Sequence, residues 1–431
     1  MTAAQSSAAP STGGRIATSA AGLAGRAEAP ATRPGNMPRS ARAVIRLLER
    51  LAHGRLQLTL PDGRQLAFGP GERAVPLRVL GWEPFAATLA RGDVGFAEGW
   101  IAGQWDCDSL IDVLDLMLAN RRALEQAIYG NGVVRILDRL RHLLRRNTRA
   151  GSRRNIHAHY DLGNPFYRLW LDDSMTYSSA LFGAEAGITL PQAQHAKYAR
   201  ILEQLALPEG ARVLEIGCGW GGFAEQAARA GLRVKGLTLS TEQLAWANER
   251  LAAAGLDGQA RCVLQDYRDE RDRHDGIVSI EMFEAVGEAY WPRYFDTVAR
   301  SLLPGGRAVV QTIVIDDALF ERYRRGTDFI QQYVFPGGML PSPTVFARAA
   351  RRAGLNVIDQ FAFGQDYART LACWRETFMA RLAEVRAQGF DERFIRTWEF
   401  YLAYCEAAFR HGSTDVVQFT LARDGGRGAI A

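Results

Sequence analysis

An α/β fold built on a doubly wound parallel sheet, with a smaller α+β domain ahead of it, is the expectation for this 431-residue chain. Three observations carry it. Beyond Gly151, strand and helix patterns alternate, and such alternation means parallel strands with helices on both faces. The apolar run Val213–Ile216 leads straight into the glycine-rich turn Gly217-Cys218-Gly219-Trp220-Gly221-Gly222. Upstream, Leu56, Leu58 and Leu60 alternate with other residues, a turn follows at Pro61-Asp62-Gly63, and Leu66 and Phe68 resume the alternation, as in a β-hairpin.

Length and composition set the frame. At about 100 to 200 residues per domain the chain implies two or three domains, and 47% hydrophobic with 23% charged residues excludes a wholly disordered protein. No apolar run reaches the roughly 18 residues of a membrane span; the best candidate, Ile111 to Ala119, is broken by Asp112 and Asp115. Five widely spaced cysteines with no C-x-x-C pair argue against a disulfide framework and a zinc site, so no metal is expected and a reducing cytoplasm fits.

Taken in order, residues 1–40 are rich in Ala, Ser, Thr, Gly and Pro without hydrophobic periodicity, which reads as a disordered tail. Residues 41–150 form the small domain: a short helix over Ala41 to Arg50, the hairpin over Gly54 to Phe68, the stretch Gly95 to Trp100, and a helix from about Leu110 to Asn120. A basic helix closes it. Arg121 to Arg154 holds ten arginines against Glu125 and Asp138, with Val133, Ile136, Leu137, Leu140, Leu143 and Leu144 at helical spacing. Such a helix suits an anionic surface, although a connecting helix with solvated arginines fits equally well. Residues 151–431 form the large domain. Strands are expected at Arg212 to Ile216, Arg233 to Leu237, Ala260 to Leu264, Gly276 to Ile280 and Arg307 to Ile313, with helices at Phe223 to Ala230, Glu242 to Ala254 and Arg293 to Leu302.

Glycines after a buried strand let backbone approach a ligand at the carboxyl edge of the sheet. Gly217, Gly219 and Gly222 satisfy G-x-G-x-x-G, but the second strand ends Gly236-Leu237-Thr238-Leu239-Ser240 with no carboxylate to hold the ribose of a dinucleotide. Glu215, two residues before Gly217, instead suits a cationic amino-acid moiety, an arrangement that resembles motif I of S-adenosylmethionine-dependent methyltransferases. Asp266, in Gln265-Asp266-Tyr267 after the third strand, would sit beside adenine.

A more specific resemblance covers about Arg154 to Leu421. The segments His159 to Asn164, Met175 to Ala180, Gln192 to Lys197, Ser279 to Glu284, Phe335 to Gly338, Leu340 to Ser342 and Phe363 to Tyr367, with the glycine loop, look like the cyclopropane-fatty-acyl-phospholipid synthase family, in family order. The resemblance implies a class I methyltransferase fold and S-adenosylmethionine contacts at Tyr177, Ser178, Leu214 to Gly222, Thr238, Leu239, Ser240, Gln243, Asp266 and Tyr267. It implies methyl transfer to a cis double bond of an acyl chain in membrane phospholipid, at the cytoplasmic face, by a homodimer whose smaller domain works against the membrane. A cation forms on the chain, and Phe283, Phe335, Tyr177 and Trp220 are candidate aromatic walls for it, although taken singly each is better explained as core. The family's base resembles a bound bicarbonate ion; matching positions supply Glu284, Tyr367 and the backbone of Ile313. Cys405 matches a cysteine often assigned as active, although nothing in the chemistry needs a nucleophile there.

Two departures touch the anion site. Ser179 stands where the family commonly has cysteine, and Gln311 where it commonly has histidine, so hydrogen-bond donors remain while the group titrating near neutrality is lost. Glu281 occupies a place that is often glycine and is itself a candidate base. Cyclopropane formation is the first product expected, and methyl or methylene addition, with a separate reductase, is the alternative. A lipid-binding relative with a decayed site and a small-molecule methyltransferase compete less well, because the cofactor set and Glu284 are intact and the resemblance continues past Phe335. Nucleic acid is disfavoured: the basic segment carries Tyr129 alone for stacking.

Overall fold

A computed structural model of the chain describes residues 37–124, 162–184 and 187–423. Most of the tail and all of the basic helix beyond Leu124, including the proposed boundary near Gly151, lie outside the described residues. Met37 onward forms one compact unit. Among its described residues no helix is long and apolar enough to cross a membrane.

The expected hairpin is present as β1 (Arg55–Thr59) and β2 (Gln65–Phe68), paired antiparallel with Leu56 opposite Phe68 and Leu58 opposite Leu66. β3 (Ala74–Val79) and β4 (Trp105–Cys107) complete a four-stranded sheet in the order β2-β1-β3-β4. The first helix starts at Arg39, inside the stretch read as tail. Gly95 to Trp100 lies within the helix Asp93–Ile101, where a side chain at Gly95 would strike the carbonyl of Ala87 at 2.1 Å. Glycine there allows the helices Glu83–Arg91 and Asp93–Ile101 to touch backbone to backbone.

The second sheet has seven strands in the order β10-β11-β9-β8-β5-β6-β7. The five expected strands are β5 (Arg212–Ile216), β6 (Arg233–Thr238), β7 (Ala260–Leu264), β8 (His274–Ile280) and β9 (Leu302–Ile315), all parallel. The purely parallel expectation fails at one edge. β10 (Leu355–Ala362) and β11 (Thr414–Arg423) were not anticipated, and β11 runs antiparallel between β9 and β10. Side chains alternate across the sheet: Val213, Val278 and Val309 enter one apolar cluster, Leu214, Ile277 and Val310 the other. The two clusters are the two helix-covered faces of the doubly wound fold.

A third cluster joins the four-stranded sheet to the C-terminal helices. The helix Glu392–Arg410 packs on Leu110–Ala119 and Asp93–Ile101. Trp100 Nε1 donates to the carbonyl of Arg396 at 3.0 Å, Arg396 Nε donates back to the carbonyl of Trp100 at 2.6 Å, and the Arg396 guanidinium lies over the Trp100 ring. The small sheet therefore rests on helices that also wall the site below.

Candidate active site

Two cavities meet at the carboxyl edge of the large sheet, and Tyr177, Glu281, Phe335 and Gly338 line both. The first is built by the glycine loop. Gly217 has φ +87°, and a side chain on it would strike Met282, so only glycine lets the loop turn there. Gly219, Gly222, Thr238, Leu239, Gln243 and Tyr267 reach this cavity as expected, with Tyr177 and Ser178 facing them. Glu215 also lines it. One oxygen of this fully buried carboxylate, Oε2, has no hydrogen-bond partner, and burial holds its proton affinity well above the ordinary range. A buried acid with an unpartnered oxygen at a cavity wall is suited to receive a hydrogen-bond donor or a cationic group of a ligand.

Four expected cofactor residues take other duties. Asp266 turns both oxygens to the Arg268 guanidinium, at 2.8 and 2.6 Å, and it is Gln265, Tyr267 and Arg268 that line the cavity. Ser240 caps the helix Thr241–Ala253 by accepting from Gln243 N at 3.2 Å. Leu214 is buried under the sheet, and Gly221, at φ +83°, sits against Ala247. Of the four aromatic candidates, Phe283 is core: it is fully buried against Trp291, Tyr294, Phe295 and Phe346. Tyr177, Trp220 and Phe335 do line the first cavity.

Glu281 is the hub. Its Oε1 accepts from the backbone N–H of Ser179 at 2.8 Å and from Gln311 Nε2 at 2.7 Å, and its Oε2 accepts from Tyr367 Oη at 2.7 Å. Gln311 is held in turn by Gln418 of β11, whose Nε2 donates to its Oε1 at 3.0 Å. Three of the residues expected around a free anion thus surround a carboxylate of the chain itself. Glu281 has φ +48°, a region that costs a residue with a side chain roughly 1–2 kcal/mol. That conformation explains why glycine is common here, and the three hydrogen bonds offset the strain.

Ser179 contributes differently from expectation: its hydroxyl donates to the carbonyl of Ala180 at 3.0 Å, so its amide does the work at Glu281. Glu284 lies on the second cavity with Ile313, whose N–H is donated to Glu284 Oε1. The other oxygen of Glu284 has no partner. Burial, then the neighbouring Glu281, pushes Glu284 up to about 8, so it carries its proton at neutral pH. Burial raises Glu281 as well, outweighing the opposite pull of Lys197, Tyr367, Ser179 and Gln311. Both neighbouring acids thus bind protons more tightly than a free carboxylate, and of the two Glu281 is the one with hydrogen-bond donors on both oxygens. Cys405 lies on the wall of the second cavity, and burial pushes its thiol up, which suits a filler and not a nucleophile.

Lys197 was named only within a motif, with no role. It is fully buried, and its Nζ donates to Ser178 Oγ at 2.6 Å and Gln194 Oε1 at 2.7 Å. One signal was available: Lys197 and Lys235 are the only lysines in a chain with 52 basic residues. Gln418 gave none, because β11 itself was not recognised.

Comparison with known proteins decides the family. The profile of mycolic acid cyclopropane synthetases matches residues 147–419. The chain belongs to that family. It is 38% identical over 407 residues to a tuberculostearic acid methyltransferase of Mycobacterium tuberculosis, covering 90% of this chain and 92% of that protein. Cyclopropane-fatty-acyl-phospholipid synthase of Escherichia coli strain K12 is 36% identical over 361 residues, covering 82% and 89%. A mycolic acid cyclopropane synthase solved with SAH and CTAB superimposes with a TM-score of 0.59 at 33% identity, covering 62% of this chain and 97% of that one. The chain is accordingly an S-adenosylmethionine-dependent methyltransferase of class I fold.

Proposed function

We propose that this enzyme adds one carbon to the cis double bond of an unsaturated phospholipid acyl chain, with Glu281 as the resident proton acceptor in place of bicarbonate. S-adenosylmethionine, when bound at Glu215, Ser178 and the glycine loop, supplies an electrophilic methyl group. The observation that carries the reading is the placement of the Glu281 carboxylate on Ser179 N, Gln311 Nε2 and Tyr367 Oη, between the cofactor cavity and the second cavity.

Methylation of one alkene carbon leaves a cation on its neighbour. Tyr177 and Phe335, common to both cavities, offer ring faces that stabilise it without bonding to it. Glu281 then takes one proton from the added carbon. If the C–H electron pair closes onto the cationic carbon, a cyclopropane results; if a hydride first shifts from the methylated carbon to its neighbour, the pair forms an exocyclic methylene. Protonated Glu284 adds no second negative charge that would trap the cation.

The methylene product is the preferred reading, a change from the order expected on sequence. Its supports are the replacement of a diffusible base by a tethered one and the 90% coverage by a relative named as a tuberculostearic acid methyltransferase. A reductase would then saturate the branch. Ring closure is the second reading, favoured by the synthase relative of Escherichia coli. Enzyme supplied with methyl-labelled S-adenosylmethionine and vesicles of unsaturated phospholipid decides by NMR of the extracted lipid. Label in an exocyclic =CH2 is expected; label in a ring CH2 overturns the preferred product and keeps the base.

A further inference from the structure

Lys197 is a buried group beside the site to which the reaction assigns nothing. It comes from the helix Leu190–Leu205, has no exposure, and spends its hydrogen bonds on two neutral partners, Ser178 Oγ and Gln194 Oε1. Gln194 is itself fastened, its Nε2 donating to the carbonyl of Ser178 at 2.9 Å. An ammonium in such a place is costly unless negative charge lies close by. Burial brings Lys197 down to about 7, outweighing Glu281, Asp172 and Glu215, each of which favours the charged lysine.

Two covalent and hydrogen-bonded arms run from Lys197 to the base. On one side its Nζ holds Ser178, and the next residue, Ser179, gives its N–H to Glu281 Oε1. On the other, the Lys197 carbonyl accepts from Gln418 Nε2 at 3.5 Å, while the same amide holds Gln311, which donates to Glu281. No cation touches Glu281 directly among the described residues; its three contacts are neutral donors. Lys197 is the strongest influence favouring the anionic form of Glu281. It acts on Glu215 in the same sense, across Ser178 in the cofactor cavity.

We propose that Lys197 is a positioning residue that holds the Glu281 carboxylate in place through the Ser178–Ser179 and Gln418–Gln311 arms, favours its anionic form, and couples that base to Glu215. The inference rests on Glu281 being the proton acceptor. The other charged or titratable groups facing this pair are Asp172, Glu284, Tyr198 and Tyr367. Burial and then Glu281 raise Glu284, Tyr367 supports ionisation of Glu281 by hydrogen bonding, and the Tyr198 ring lies 4.4 Å from Lys197 Nζ.

The composition makes the test direct, because a chain with two lysines gives two lysine side-chain NMR signals. Full-length protein labelled at lysine is titrated as wild type and as E281Q. Loss of the Glu281 charge is expected to move the Lys197 titration to lower pH by roughly one unit, the scale of a nearby opposite charge. Lys235, held by Glu270 and Asp272, is expected to stay where it is. An unmoved Lys197 overturns the proposal. In the reciprocal experiment K197M is carried through the pH dependence of kcat, with SAH binding by calorimetry as the check on folding. Its acid limb is expected to shift upward, whereas K197R keeps the wild-type limb; identical limbs in K197M and wild type overturn the proposal. Activity of E281Q separates the two claims: full activity removes Glu281 as the base, while a Lys197 shift in that same variant still establishes the coupling.

Discussion

Tyr367 donates its hydroxyl to Oε2 of Glu281 at 2.7 Å, joining residues 86 positions apart. A phenol from the helix Gly364–Ala380 and a carboxylate at the end of β8 thereby define the point where the glycine-loop cavity opens onto the second cavity.

Removing that hydroxyl tests its contribution. Y367F keeps the ring packing on Phe409 and Trp374 and loses one donor to an anion, a bond worth about 1.5–3 kcal/mol. The expected result is a kcat lower by roughly ten- to a hundredfold, with the acid limb of the pH profile moved upward because Glu281 holds its proton more tightly. Cofactor affinity, measured by calorimetry, stays near wild type.

Glu215 is expected to govern the cofactor. E215Q removes the buried carboxyl group whose Oε2 is unpartnered and that could ionise against a bound ammonium, and SAH binding should weaken by roughly ten- to a hundredfold, the scale of one hydrogen bond to a charged group. Unchanged affinity would show that the orphaned oxygen has another role.

Glu284 predicts a pH dependence of stability. Its affinity for a proton is raised in the folded state from the ordinary value of 4.5 to about 8. Between these values the unfolded chain has released the proton that the folded chain still holds, so stability falls as pH rises from about 4.5 to about 8. E284Q abolishes this dependence. Its melting temperature relative to wild type should climb across that window and hold level above it, with little change in the difference below pH 4.5.

Phe283 belongs to the core and not to the reaction chamber. Truncation in F283A leaves a cavity among Trp291, Tyr294, Phe295 and Phe346, and large-to-small aromatic changes of this kind cost about 3–5 kcal/mol. Denaturant unfolding should register that loss. F335A, at the junction of the two cavities, should instead lower activity with a smaller loss of stability.

The parallel strands were legible because each is a short apolar run beside a helix with its own period, as Val213–Ile216 and the helix after it illustrate. β11 was not, since Thr414–Arg423 mixes buried Gln418 and Thr420 into the strand, and polar residues inside a sheet have no periodic signature. The same reason hid half of the site. Gln311 was noticed as a departure from a family pattern, but its partner Gln418 comes from a strand that only the fold brings alongside. Asp266 reads as a ligand acceptor because it is a carboxylate after a strand, and nothing local says that Arg268 folds back on it. Glu281 stood out as a charge where glycine is common; that its backbone has φ +48° and its carboxylate gathers Ser179, Gln311 and Tyr367 are tertiary facts.

The central claim is that Glu281 replaces a diffusible anion as the base. Turnover on unsaturated phospholipid vesicles is measured in buffer stripped of bicarbonate and again with bicarbonate restored, for wild type, E281Q and E281G. Wild type is predicted to be indifferent to bicarbonate, E281Q to lose about a hundredfold or more in kcat under both conditions, and E281G to be inactive until bicarbonate is added. A wild-type enzyme that stops when bicarbonate is removed, or an E281Q variant that turns over at the wild-type rate, would contradict the account.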